Sequence, residues 1–178
     1  MKKTGLLLVI ICLVQFCFAQ KQLQIKNQNF EIFAIQNGDA VTKSTKQFSI
    51  SLNYETGQFK SSLDMANIRL FQEEVLADNP KEADYFKIEG VFPVNDILYN
   101  KNTDQEYKVE LNIINRGYTV PAIFNVVIKN YTNARTGFRQ FICSANVDMR
   151  DFIKDELHGY EPEIRLVITF EAYLIGQR

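Results

Sequence analysis

Hydrophobic and polar positions alternate along most of this chain, and the alternation is most regular between Tyr107 and Leu174. Tyr107, Val109, Leu111 and Ile113 share one parity, and Tyr118, Val120, Ala122, Phe124, Val126 and Ile128 form the next series. Phe141, Cys143, Ala145 and Val147 follow, and Ile164, Leu166, Ile168, Phe170, Ala172 and Leu174 close the run. Successive side chains of a strand point to opposite faces, so each segment predicts a strand with one apolar and one largely polar face. Strands of this kind, joined by connections too short for crossover helices, curl into an antiparallel barrel or sandwich. The pattern places Leu166, Ile168 and Phe170 inward, and Arg165, Thr169 and Glu171 outward.

The first half of the chain carries the same period less cleanly. Leu23 and Ile25 predict one short strand, and Phe30, Ile32 and Ala34 another that ends at the turn signal Asn37-Gly38-Asp39. Phe48, Ile50, Leu52 and Tyr54 alternate up to Thr56-Gly57, and Phe59, Leu63 and Met65 alternate back, which is a hairpin signal. Ile68 and Leu70 extend a further strand, whereas residues 71–84, with Gln-Glu-Glu-Val-Leu-Ala before Asn79-Pro80, predict a short helix. Phe86, Ile88, Gly90 and Phe92 resume the alternation, and residues 95–106 read as a polar connection. The expectation is one all-β domain of about eight strands with one short helix.

The N-terminus changes the picture of where the chain works. Lys2 and Lys3 precede an apolar run from Gly5 to Val14, followed by Phe16, Cys17, Phe18, Ala19 and Gln20. A basic start, a short apolar stretch and a small residue before the cleavage point describe a secretory signal peptide, residues 1–19, with residues 20–178 as the mature domain. The run falls short of the ~20 residues that a membrane-spanning helix needs. Cys12 and Cys17 follow Ile11 and Phe16 rather than small residues, which argues against a lipid-modified cysteine. Loss of Lys2 and Lys3 moves the formal net charge from −1 to −3, a balance unlike a clustered positive nucleic-acid footprint. Cys143 alone survives processing, so the domain has no internal disulfide and depends on burial for its stability. Its apolar parity marks it as a core thiol.

Candidate chemistry is sparse, and the reading is of a protein that is not an enzyme and uses no metal or cofactor. The one histidine, His158, sits beside Gly159 in a polar connection, without the partners that a metal site or a nucleophile pair requires. Asp148, Arg150 and Asp151 end a strand together; held in a cleft they could do acid–base work, but at a strand end they read as an ion pair. Asn130-Tyr131-Thr132 fits the glycosylation sequon. With 14 Phe and 8 Tyr but no Trp, the chain has many bulky side chains to place. Ser61, Gly90, Ala122, Ala145 and Ala172 fall on the same apolar face of five different strands. Such a mix is compatible with a barrel enclosing an elongated cavity and equally with a packed interior.

Short motifs add a resemblance. Leu111-Asn-Ile-Ile-Asn-Arg-Gly-Tyr-Thr-Val-Pro-Ala-Ile-Phe124, Val147-Asp-Met-Arg-Asp-Phe152, Glu163-Ile-Arg-Leu-Val-Ile-Thr-Phe170 and Phe86-Lys-Ile-Glu-Gly90 resemble, in order and spacing, strands of the YceI-like family. The resemblance covers roughly residues 45–175. Arg116 in the turn, Pro121-Ala122 after it, and Ile153-Lys154-Asp155 after Phe152 depart from the family's wording, as in a divergent member. The resemblance implies a lipocalin-like antiparallel barrel, exported to the periplasm or secreted, that binds a long apolar chain such as a polyisoprenoid or fatty molecule. The lining would then be Ile50, Leu52, Leu63, Ile88, Val109, Leu111, Ala122, Phe124, Val126, Phe141, Cys143, Ala145, Leu166, Ile168 and Phe170. The competing expectation is a packed β-domain whose outer surface binds a cell-envelope partner through Phe33, Ile35, Ile123 and Val127, which lie on the polar parity of their strands.

Overall fold

The structure, a computed structural model, describes residues 23–68, 85–100, 103–115, 117–131, 138–151 and 159–173. Among the described residues, nine strands and one short α-helix follow one another: β1 (Gln24–Gln36), β2 (Asp39–Thr45), β3 (Phe48–Leu52), β4 (Gln58–Asp64), β5 (Tyr85–Val91), α1 (Val94–Tyr99), β6 (Gln105–Asn115), β7 (Tyr118–Tyr131), β8 (Phe138–Asp148) and β9 (Glu163–Tyr173). All strand pairs are antiparallel in a single curled sheet of order β2-β1-β9-β8-β7-β6-β5-β4-β3. This is the all-β, lipocalin-like architecture that the alternation and the resemblance lead one to expect.

The two outermost strands of that order, β2 and β3, are separated in the chain only by Lys46 and Gln47. The sheet therefore returns on itself through the covalent chain, and β2 with β3 acts as one kinked strand. β1 makes this possible by changing partner along its length. Its second half, Phe30 to Gln36, pairs with β2. Ahead of it the Leu23 amide donates to the Leu52 carbonyl of β3 at 3.3 Å, and the Gln28 side chain donates to the Phe48 carbonyl. The changeover coincides with a register shift between Lys26 and Asn29, where Asn27 takes a φ of 50°. Such bulges turn a strand and increase its twist, and asparagine tolerates the left-handed region better than most residues.

Four features differ from the sequence-based expectation. The two short N-terminal strands are one strand, β1, bent at the bulge. β2 was not foreseen: Asp-Ala-Val-Thr-Lys-Ser-Thr offers only Val41 as a bulky apolar side chain, because an outermost strand with one neighbour buries little. Ile68 closes a 3₁₀ turn over Met65–Asn67, its amide bonded to the Met65 carbonyl at 3.2 Å, instead of extending a strand. The described helix is α1, inside the stretch read as a polar connection; Val94 and Ile97, three apart, bury one side of its two turns. The helix expected over residues 71–84, together with Leu70, lies outside the described residues. None of the described helices is long and apolar enough to cross a membrane.

Inside the wall, register brings large side chains opposite small ones. One row reads Leu52, Phe59, Gly90, Leu111, Ala122 across β3 to β7. A Cβ on Gly90 would meet the Leu111 Cδ2 at 2.5 Å, so Leu111 already occupies the space that the glycine leaves. Ala145 of β8 stands opposite Leu166 of β9, which in turn stands opposite Ile32 of β1. Phenylalanines fill the middle in two groups. Phe30 meets Phe48 and Phe86 edge-on at 5.7 and 6.2 Å. Phe59, Phe92, Phe141 and Phe170 form a closed circuit of rings, with centroids 4.6, 6.2, 4.8 and, back to Phe59, 6.1 Å apart.

Candidate functional site

Apart from Ile50 and Ala122, which are half-buried, the fifteen expected lining residues are buried in this core. Arg165 is exposed, with Thr169 and Glu171 partly so, while Leu166, Ile168 and Phe170 are fully inside. The faces are therefore as the alternation assigns them. At Gly90 the small residue leaves no room, because Leu111, its partner in register, fills the space beside it.

Space remains at one end, where α1 lies across the barrel mouth. A cavity of about 20 Å³, room for roughly one water, is lined by Val94, Ile97 and Leu98 of α1, with Leu52, Phe141 and Ala172 of the wall. Leu23, Tyr54 and Arg139 complete the lining. α1 has no side-chain N-cap and only six residues, too few to be stable alone. Its C-terminal carbonyls are held from the wall instead: the Arg139 Nη1 donates to the Ile97 carbonyl at 3.0 Å, and the Gln105 Nε2 to the carbonyls of Ile97 and Asn100. A basic side chain at a helix C-terminus is favourable both as a cap and against the helix dipole. Gln105 is itself steadied by the Tyr107 hydroxyl at 2.6 Å.

Arg139 was missed in the sequence although the signal was present. It precedes Phe141 by two residues and so shares the inward parity of Phe141, Cys143 and Ala145. A charged residue at the start of an apolar series reads as the end of the strand, whereas β8 begins one residue earlier at Phe138. Burial lowers the Arg139 pKa, with the Tyr107 hydroxyl acting in the opposite direction. Among the described residues no carboxylate pairs with it.

The other candidates do not converge on this mouth. Arg150 holds Asp148 through a fork, Nε to both carboxylate oxygens at 2.9 and 3.0 Å and Nη2 to Oδ2. These bonds draw the Asp148 pKa down to about 2. The pair is open to solvent at a strand end, with Asp151 exposed beside it, so it is a surface ion pair rather than a cleft. The Asn130 side-chain amide donates to the Thr103 carbonyl and its backbone amide to Asp104 Oδ1 at 3.0 Å, which ties β7 to the loop before β6. His158 lies outside the described residues.

Cys143 is fully buried beside Val126 and Ile168, and desolvation pushes its thiol far above the ordinary range. In protein comprising residues 20–178 it is expected to resist a thiol-specific disulfide reagent under native conditions. It should react stoichiometrically in denaturant. Native-state labelling as fast as that of the unfolded chain would contradict the burial.

On the outer face, Phe33, Ile35 and Ile123 are exposed, at 39, 38 and 57%, while Val127 is half-buried against its neighbour Ile142. Phe33 pairs with Arg165, which pairs with Asn146. Polar and charged side chains thus separate β1 from β7, and the four apolar residues do not form one patch.

No family model matches the chain, and no curated protein matches it in sequence. Its fold does have a solved counterpart. It is similar to that of a polyisoprenoid-binding domain from Saccharophagus degradans implicated in plant cell wall breakdown. The TM-score is 0.62 at 6% sequence identity, with 86% of this chain and 97% of that chain covered. At that identity the likeness concerns the course of the chain, which is the fold derived above.

Proposed function

We propose that this protein is an exported, non-enzymatic binder or carrier of a long apolar molecule, an isoprenoid or fatty chain, and a divergent YceI-like protein. The observation that carries the reading is the mouth: an apolar cavity beside a short helix that lacks a side-chain N-cap, in a fold shared with a polyisoprenoid-binding domain. The chain would enter by displacing α1, whose Val94 and Ile97 now occupy the opening and are 6 and 3% exposed. The tail then replaces those side chains as the apolar plug, resting against Leu52, Phe141 and Ala172. At about 25 cal/mol per Å² of apolar surface withdrawn from water, a few isoprene units supply micromolar affinity without a single dominant contact.

Native mass spectrometry of the protein purified from its own host, paired with uptake of a fluorescent fatty-acid or isoprenoid probe, tests this. One lipid adduct per chain, lost on extraction with organic solvent and followed by stoichiometric probe uptake, is the expected result. If neither the adduct nor uptake is found, the carrier reading fails. The packed phenylalanine centre favours the second reading in that event, a β-domain that acts through its outer surface in the cell envelope.

A further inference from the structure

Arg139 is the one cation lining the apolar mouth cavity among the described residues, and it is only partly used. Its guanidinium presents five donors, of which one is bonded among the described residues, to the Ile97 carbonyl of α1. Arg139 is half-buried, and the part of its guanidinium that is withdrawn from water without a carboxylate is costly unless its donors find acceptors. Displacement of α1 would take away even the Ile97 carbonyl.

From this we infer that the ligand carries an anionic oxygen head, carboxylate or phosphate, which takes the place of the Ile97 carbonyl on Arg139 while the tail takes the place of Val94 and Ile97. The inference rests on the carrier reading and narrows it to acidic amphiphiles. The planar fork fits both head groups, since each offers paired oxygens at the spacing of two parallel N–H bonds. Gln105 lies in the same cluster, its Nε2 on the Ile97 and Asn100 carbonyls and its Oε1 accepting from the Tyr107 hydroxyl, so the head would meet polar hydrogen-bonding groups beside the arginine. The exchange also explains a coupling built into the mouth: the same guanidinium anchors the closed helix and receives the head, so binding and release of α1 are one event.

The test compares farnesyl monophosphate with farnesol, and palmitate with hexadecanol, on the wild-type protein and on Arg139→Gln, which keeps an N–H donor for Ile97 without the charge. The wild type should favour each acid over its alcohol by about tenfold or more, the size expected of a charge-assisted hydrogen-bonded pair. Arg139→Gln should bring acid and alcohol to within about twofold of each other, a ratio taken within one variant so that any general change in affinity cancels; Arg139→Lys should restore part of the preference. Equal binding of acid and alcohol by the wild type overturns the inference and leaves the carrier reading standing. Binding of none of the four probes overturns both. Competition by inorganic phosphate alone at the concentration of farnesyl monophosphate would also overturn it, because the tail would then contribute nothing.

Discussion

Phe170→Ala is expected to cost about 3–5 kcal/mol of folding stability, the range for truncating a buried aromatic ring. Phe170 is fully buried and stacks on Phe141, its partner in register on β8, with centroids 4.8 Å apart and planes 5° from parallel. It also meets Phe59 at 6.1 Å, so its loss opens a void beside Phe141 and Phe59 that Phe92, stacked on Phe59, cannot easily fill. Urea denaturation with the slope unchanged and the midpoint lowered measures the effect. The void should lie next to the mouth cavity, which Phe141 also lines, and so enlarge the space for an apolar tail. A loss below about 1 kcal/mol would show that the stack is not the packed centre of the barrel.

Gly57→Ala carries the second large effect, for reasons of backbone rather than burial. Gly57 has φ +73°, and a Cβ placed there would lie 2.2 Å from the carbonyl oxygen of Phe92. The left-handed conformation alone costs a non-glycine residue about 1–3 kcal/mol. The collision adds to it, because the obstructing atom is backbone and the Phe92 amide is bonded to the Gly57 carbonyl at 2.8 Å. Relief requires moving Phe92, which leads into α1 and holds the aromatic chain at Phe59 and Phe141. Gly38→Ala is the control: φ is +86°, but nothing lies within 4 Å of the added atom. Thermal unfolding should show a markedly larger fall for Gly57→Ala than for Gly38→Ala. Equal falls would mean that conformation, not the β3–β4 turn's contact with Phe92, sets the cost.

Strand faces were legible because a period of two needs no partner to be seen. Leu166, Ile168 and Phe170 could be placed inside, and Arg165 outside, from β9 alone. What the rows of the barrel contain was not legible. Whether Gly90 or Ala145 leaves a hole depends on Leu111 and Leu166, and those pairings exist only after strands far apart in the chain take up register. The same limit hid α1, whose two buried residues, Val94 and Ile97, are too few for a helical period and whose stability comes from Arg139 and Gln105, each on a different strand.

An all-β architecture, the inward set of each long strand and the buried state of Cys143 could be read from the amino-acid sequence. These follow from side-chain alternation and residue chemistry, which are local. Packing in three dimensions was needed to see that β2 and β3 close the sheet through a two-residue link, that phenylalanines fill its centre, and that α1 and Arg139 meet at the mouth. Each of these joins residues distant in the chain, and the free energy that selects them arises only when their surfaces leave water together.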